Sequence, residues 1–311
     1  MNIWLIGAGP HASEYAKVLT NLKVDFLVIG RGQESANKFQ LSTGKAVSTE
    51  GLNNEIKHRG APEFAIISVN YHLLSSLAST LISAGTRQIL LEKPGGLNEN
   101  EIYNLEKNAN KFGSKVWIAY NRRFYASTIK AREMILKDGG VTSCFFELTE
   151  WSHLIEPMQL PKITKDSWMI ANSSHVADLV FYLCGIPKNW TAFHSGGVSW
   201  HRNASRFCGS GVTDKGVLFS YLGDWEAPGR WAVEVLTRNR RYILKPMETL
   251  QVINLKSTST ELVTIDDALD RNFKPGLYNQ TKAFLYGNTD ELCSLFHQSK
   301  MINVYSKMAG Y

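Results

Sequence analysis

The residues best suited to chemistry fall in four short stretches. The first is Gly7-Ala8-Gly9-Pro10-His11-Ala12, set between an apolar run at 2–6 and a helix-like run at 13–19. A strand feeding a glycine turn and then a helix brings backbone N–H groups and the positive end of a helix dipole to one point. Binding a pyrophosphate needs that arrangement. Gly7 then permits the tight turn, Gly9 lets the backbone approach a phosphate, and Ala12 is the small residue that allows helix and strand to pack closely. The second stretch, Gly30-Arg31-Gly32, follows the apolar run at 24–29, with Ser35 and Lys38 beyond it. An acid at the end of this strand would bond a ribose 2′-hydroxyl. Arg31 instead suits a 2′-phosphate, so the expected cofactor is NADP(H), with NAD(H) the alternative. The competing reading of Arg31 is a solvated loop residue.

The third stretch is Glu92-Lys93-Pro94, directly after the apolar run at 88–91. Lys93 would stand at the carboxyl end of a parallel strand, where a nicotinamide lies. Its ammonium can polarise or protonate a carbonyl oxygen, more readily if burial lowers its pKa. Pro94, with no N–H and a fixed φ, suits the turn that follows. A Lys-Pro pair after a strand is common, however, and means little alone. The fourth stretch, Ser173-Ser174-His175-Val176-Ala177-Asp178, places an imidazole and a carboxylate on one helix. His175 can relay a proton there, or it is a packed histidine behind an N-cap formed by Ser173 and Ser174.

The surrounding pattern supplies elements to hold these groups. Up to about residue 120, apolar runs at 2–6, 24–29, 64–69, 88–92 and 116–120 alternate with helical spacing at 13–22, 73–84 and 99–112, and Gly85 ends the second of these helices. Near-continuous apolar strands separated by helices predict a parallel sheet covered on both faces. The pattern then changes. A helix at 128–136 leads through Asp138-Gly139-Gly140 to an alternating strand at 141–150, a helix at 174–183, and strand-like text with recurring turns at 190–262. Helices return at 277–285 and 291–309. The fold class is therefore α/β: an N-terminal doubly wound (Rossmann) domain at 1–120, then an α+β domain at 121–311 with an open, mostly antiparallel sheet. A ligand crevice is expected between them, at the carboxyl ends of the parallel strands.

Bulk properties narrow the function classes. The chain has 311 residues, 44% hydrophobic and 20% charged, an ordinary globular composition that is long for a single core. No apolar run reaches the ~18 residues of a membrane span, and no basic leader precedes the first strand, so a cytoplasmic protein is expected. Cys144, Cys184, Cys208 and Cys293 are scattered, which predicts reduced thiols and no structural zinc or other metal site. The net charge of +6 is dispersed; Arg238, Arg240 and Arg241 form the one tight group. That pattern excludes a nucleic-acid groove and leaves a small anionic partner open.

Taken in order, Gly-Ala-Gly-Pro at 7–10, Ser68-Val69-Asn70-Tyr71-His72, Glu92-Lys93-Pro94, Tyr120-Asn121-Arg122-Arg123-Phe124 and the helix from Ser174 into Leu183-Cys184-Gly185 resemble the glucose–fructose oxidoreductase / inositol dehydrogenase (Gfo/Idh/MocA) family over nearly the whole chain. The resemblance implies an oxidoreductase that moves a hydride between a nicotinamide and a carbonyl or carbinol carbon of a sugar or cyclitol. It places the motif lysine on Lys93 and the acid/base histidine on His175. It also places Asn70 and His72 by the nicotinamide ribose and Tyr120 and Arg123 along the substrate crevice. Gly7, Gly9, Pro10, His11, Arg31, Ser68, Glu92 and Lys93 complete the expected cofactor set, and Asp178, one turn beyond His175, is the alternative carboxylate expected beside the substrate. The resemblance further implies a homo-oligomer built on the antiparallel sheet. Phrases such as 224–231 and 273–278 are similar to members associated with bacterial surface-polysaccharide sugar synthesis, so a nucleotide-linked or acidic sugar is expected. One departure stands out: many members carry Asp four residues before the histidine, where this chain has Ala171. A cofactor-binding regulator or sensor without turnover is the reading that would go with that loss, though it leaves Lys93 without a purpose.

Overall fold

Short apolar runs with no polar alternation make strands buried on both faces, and the first part of the chain consists of such runs. The computed structural model describes all 311 residues. Its first elements are β1 (Ile3–Ile6), α1 (Pro10–Asn21), β2 (Leu27–Ile29), α2 (Gln33–Thr43), β3 (Val47–Ser48), α3 (Leu52–Arg59), β4 (Phe64–Ile67), α4 (Leu74–Ala84), β5 (Gln88–Glu92), α5 (Glu99–Phe112) and β6 (Lys115–Ala119). There follow α6 (Ala126–Lys137), β7 (Ser143–Glu147), the short α7 (Ser152–Ile155) and α8 (Lys162–Asp166), a π-helical turn (Met169–Ser173) and α9 (Ser174–Cys184). The next seven strands all join one sheet: β8 (Pro187–Ser195), β9 (Arg206–Thr213), β10 (Leu218–Asp224), β11 (Ala232–Leu236), β12 (Arg240–Leu244), β13 (Gln251–Asn254) and the two-residue β14 (Glu261–Leu262). The chain ends with α10 (Ala268–Asn272), α11 (Leu277–Tyr286), β15 (Cys293–Ser294) and α12 (Leu295–Ala309).

Two compact units result. The first comprises Met1–Asn121 with Leu269–Lys300, the second Arg122–Ala268 with Met301–Tyr311. The expected break after residue 120 has its counterpart at 121/122, but 269–300 belongs to the first unit rather than to the second. The reason is long-range pairing. β15 pairs antiparallel with β6, Cys293 opposite Ile118, and α11 packs on α1.

In the first unit the sheet order is β15-β6-β5-β4-β1-β2-β3, parallel throughout except for β15. β1 and β4 are buried at every position. The turn after β1 depends on a missing side chain. Gly7 has φ +123°, and a Cβ there would lie 2.0 Å from the Ser68 carbonyl oxygen. No L-residue tolerates both that conformation and that backbone contact. α1 then buries Ala12, Tyr15, Ala16, Val18 and Leu19, a single helical stripe. Gly85 caps α4 in the left-handed conformation, as its position predicted.

In the second unit the eight strands run β14-β13-β12-β11-β7-β10-β9-β8, and only the β7–β10 pair is parallel. Period-2 alternation sorts the faces. Phe219 and Tyr221 of β10 point inward, where Tyr221 stacks on Phe146 at 5.4 Å, while Leu218 and Leu222 are 62% and 60% exposed. The long α9, buried from Ser174 through Phe181, covers the inner face against β7 and β11. No helix is long and apolar enough to cross a membrane, and none of the four cysteines forms a disulfide.

Candidate active site

The carboxyl ends of β1, β2, β4 and β5 carry every cofactor candidate read from the sequence. α1 begins at Gly9, whose extended backbone acts as N-cap without a side-chain hydrogen bond, followed by Pro10 at the first helical position. The first-turn N–H groups therefore have no internal acceptor other than solvent or a ligand. A Cβ built on Gly9 would meet nothing within 4 Å. Open space above an uncapped helix N-terminus fits a pyrophosphate, and the turn held by Gly7 and Ser68 fixes its place. Ser68 is buried, whereas Asn70 and His72 are exposed on the segment after β4. Arg31 is exposed and makes no ion pair, while Lys38 pairs with Glu34 at 2.6 Å and the Ser35 hydroxyl donates to the Gly32 carbonyl at 2.9 Å. Of the three polar residues expected near a 2′-phosphate, Arg31 alone remains uncommitted.

A buried network surrounds the end of β5. His11 Nε2 lies 2.8 Å from Glu92 Oε1, and the Tyr15 hydroxyl donates to the same oxygen at 2.7 Å. On its far side, the Lys274 ammonium lies 3.1 Å from His11 Nδ1. A lysine only donates, so Nδ1 accepts and Nε2 carries the hydrogen given to Glu92. Burial alone would push the Glu92 carboxyl up; the His11 ring, the Tyr15 hydroxyl and the Lys93 ammonium outweigh it and hold the pKa below the ordinary glutamate value. Tyr15 is pushed well up, by burial first and the Glu92 charge second. Glu92 is thus an anion fixed beneath the strand end, and its charge supports the neighbouring ammonium.

Lys93 itself is 5% exposed, with Nζ 5.1 Å from the centre of the Tyr71 ring. The Lys93–Pro94 peptide is cis, and buried Gln298 donates to the Pro94 carbonyl at 2.9 Å. Lys274 and Gln298 lie about 180 and 200 positions along the chain from Glu92-Lys93-Pro94. Only the return of 269–300 to the first unit brings them to this turn, and nothing in their local sequence announced it.

The second unit holds the other candidates. His175 is 7% exposed near the start of α9, its ring 6.2 Å from that of Trp231. The expected Ser173/Ser174 cap is not formed. The Ser173 hydroxyl donates to Glu150 at 2.7 Å and that of Ser174 to the Ile170 carbonyl at 2.7 Å. Ala171 lies inside the π-helical turn, so it does not stand one regular α-helical turn before His175. A carboxylate still reaches this segment, from elsewhere in the chain. Glu150 is 2% exposed and accepts from Asn172, Ser173 and Arg230 at 2.9, 2.7 and 2.8 Å. Its pKa is raised by burial, which those donors only partly offset. Glu150 was absent from the sequence reading because it ends an exposed-looking alternating run.

Arg123 and Asp178, both expected beside a substrate, are joined to one another. Arg123 Nε and Nη2 donate to Asp178 Oδ2 and Oδ1 at 2.8 and 2.6 Å, with side chains 4% and 1% exposed. Arg123 also lies over the Tyr182 ring at 4.7 Å. Tyr120 is 1% exposed in the first unit, and its neighbour Asn121 donates to the Pro275 carbonyl at 2.9 Å.

No protein-family model and no curated protein matches this sequence. Solved structures do match its fold. UDP-N-acetylglucosamine 3-dehydrogenase GnnA from Acidithiobacillus ferrooxidans aligns over 100% of this chain and 97% of its own, with 14% identity and a TM-score of 0.77. A levoglucosan dehydrogenase in complex with NADH and L-sorbose aligns over 100% and 96%, with 16% identity and a TM-score of 0.78. A protein from Desulfitobacterium hafniense, provisionally assigned as an NADPH-dependent oxidoreductase, aligns over 100% and 95%, with 15% identity and a TM-score of 0.82. The likeness is one of fold. It places the chain in the architectural class that joins a Rossmann-like parallel sheet to a mostly antiparallel one, the class expected from the Gfo/Idh/MocA resemblance.

Proposed function

We propose that this chain is a nicotinamide-dependent oxidoreductase acting on a sugar, with NADP(H) preferred over NAD(H). The observation that carries the reading is the pairing, in one unit, of an uncapped glycine turn at β1 with a buried lysine at the end of β5. The first suits a dinucleotide pyrophosphate and the second suits the oxygen of a reacting carbon. The bound nicotinamide would supply the hydride chemistry; the protein supplies position and charge. Lys93 is the group proposed to polarise the oxygen, and the Glu92 carboxylate is the countercharge beside it. His175 is the candidate for proton relay within the second unit. The neighbours of known activity act on carbohydrates by name, and GnnA's substrate is nucleotide-linked, which supports a nucleotide-linked or acidic sugar. Titration with NADPH and NADH by nicotinamide fluorescence, followed by a screen of sugars for NADPH oxidation or NADP reduction, tests the reading. Absence of nicotinamide binding overturns it. Tight binding with no turnover on any sugar would favour the regulator that Ala171 first suggested.

Cofactor choice rests on Arg31. Its uncommitted guanidinium stands immediately before α2, whose N-cap, Gly32, makes no side-chain hydrogen bond. Arg31→Asp is expected to weaken NADPH roughly tenfold or more and to leave NADH within about threefold. Equal losses for both would remove Arg31 from the 2′-phosphate site.

The second-unit sheet is proposed as a self-association surface. Its outer face exposes Phe145, Phe193, Leu218 and Leu222, at 42%, 64%, 62% and 60%. An apolar row of this kind suits burial against a second copy. Sedimentation velocity is expected to show a dimer or larger species, and a monomer at micromolar concentration would refute it.

A further inference from the structure

A ladder of alternating aromatic and guanidinium groups runs through the second unit. In order it is Trp151, Arg230, Trp231, Arg122 and Tyr125. Arg230 lies 4.9 Å from the Trp151 ring centre and 4.3 Å from that of Trp231; Arg122 lies 4.6 Å from Trp231 and 5.8 Å from Tyr125. Two cations thus share one indole. Stacking on a ring stabilises each guanidinium modestly, but it satisfies none of the N–H donors, which point outward in the guanidinium plane.

The hydrogen-bond inventory of this ladder is unbalanced. Arg122 is half-buried and makes no ion pair or side-chain hydrogen bond. Arg230 gives one bond, to Glu150, and its side chain remains 41% exposed. The indole N–H of Trp231, 6% exposed, is buried without an acceptor. Donors on three adjacent side chains therefore meet a single carboxylate, which is itself already bonded to Asn172 and Ser173. Glu248 is the other acid whose charge Arg122 feels, and it is exposed. Burial is the main cause holding the Arg122 pKa below the usual arginine range, and the nearby Arg230 charge adds to it. A guanidinium stays protonated nonetheless, so its charge must be met by solvent or by a ligand. Leaving buried donors unmet is costly, and an anion with two or three oxygens supplies the missing acceptors.

We propose that Arg122, Arg230 and the Trp231 N–H form a binding site for an oxyanion, the carboxylate of an acidic sugar or the phosphate of a nucleotide-linked one. Arg122 is the principal ligand, because Arg230 is partly neutralised by Glu150. The aromatic members fix the planes of both guanidinium groups, so little rotamer entropy is lost when an anion binds. Trp151, 43% exposed, stands beside Arg230 at the solvent end of the ladder, its ring also 6.2 Å from that of His153. The identity of the ligand as a saccharide rests on the function proposed above; the anion site itself rests only on this ladder.

The test is isothermal titration of the full-length protein with D-glucuronate, UDP-glucose and D-glucose. At least one of the two anionic ligands is expected to bind about tenfold or more tightly than D-glucose. Arg122→Gln is expected to remove that advantage, a loss of roughly ten- to a hundredfold, with D-glucose unchanged. This variant breaks no ion pair, so it should fold. Preference for D-glucuronate alone assigns a carboxylate; preference for UDP-glucose alone assigns a phosphate. Inorganic phosphate supplies a measurement independent of any variant, since it is expected to displace the preferred anion competitively from the wild-type protein. No preference over D-glucose, a preference that survives Arg122→Gln, or no displacement by phosphate overturns the proposal. NADPH titration of the same samples keeps the two readings apart. A protein that binds NADPH without anion preference refutes only this site, and one with anion preference but no NADPH binding refutes only the oxidoreductase.

Discussion

Lys93→Ala is expected to lower turnover about 10²–10⁴-fold while NADPH binds within a few-fold of wild type. The two parts of that expectation come from different features. The pyrophosphate cradle proposed at Gly7 and Gly9 is backbone and is untouched by a change at residue 93. The ammonium, by contrast, belongs to a side chain at the end of β5 that is 5% exposed, next to the Glu92 anion. A buried point charge polarises an oxygen far more strongly than a solvated one, because little water screens it. Lys93→Arg is not expected to rescue activity. The planar guanidinium is larger and spreads its charge over a fork, whereas the group now 5.1 Å from the Tyr71 ring centre is a compact point charge. Single-turnover oxidation of NADPH by stopped flow, with nicotinamide fluorescence for affinity, separates the effects. Turnover near wild type with cofactor bound would end the assignment of Lys93 to the reacting oxygen. Loss of cofactor affinity in parallel with turnover would make Lys93 a binding residue instead.

Much of the first unit was legible because its strands carry their own evidence. The spans 88–92 and 99–112 coincide with β5 and α5, since continuous apolar residues and a strong amphipathic stripe leave few alternatives. α2 and α3 were not read. α2 buries only Ala36 and Phe39, and α3 only Glu55, so neither shows an apolar periodicity. The strand expected at 24–29 shortens to Leu27–Ile29, as Lys23 in the left-handed conformation turns the chain first. A single helix at 291–309 was also expected; two residues there, Cys293–Ser294, instead pair with β6 before α12 begins. That choice depends on a partner strand nearly 180 positions away.

The candidate site divides in the same way. Gly7, Glu92 and Lys93 announce themselves because a turn needing positive φ and a polar pair ending an apolar strand are local patterns. Lys274, Gln298 and Glu150 reach their partners only through the fold. The Tyr120-Asn121-Arg122-Arg123-Phe124 stretch shows the limit most directly. Its two arginines are indistinguishable as text, yet Arg123 is buried in a bidentate pair while its neighbour Arg122 stacks on Trp231 with no carboxylate. Side-chain direction, set by the tight turn at 121–124, decides which of them is committed to structure.

Asp178→Asn is accordingly expected to cost stability rather than substrate affinity. The carboxylate takes two charge-assisted bonds from Arg123, at 2.8 and 2.6 Å, with both side chains almost fully shielded from water. Removing one charge of such a pair leaves the other buried and uncompensated, a loss of about 3–5 kcal/mol. Replacing both partners with apolar residues of similar size, Arg123→Met with Asp178→Leu, is expected to recover most of that loss, since the pair's attraction largely offsets its own desolvation. Urea denaturation of the single and double variants measures both effects. A substrate role predicts the opposite pattern: Asp178→Asn would raise KM with the unfolding midpoint unchanged, and the double variant would be no better than the single one at binding sugar. If stability falls and returns as expected, Arg123–Asp178 is a strut that ties the turn at 121–124 to α9. Recognition in this unit would then fall to the side chains the strut leaves free to meet a ligand, Arg122 first among them.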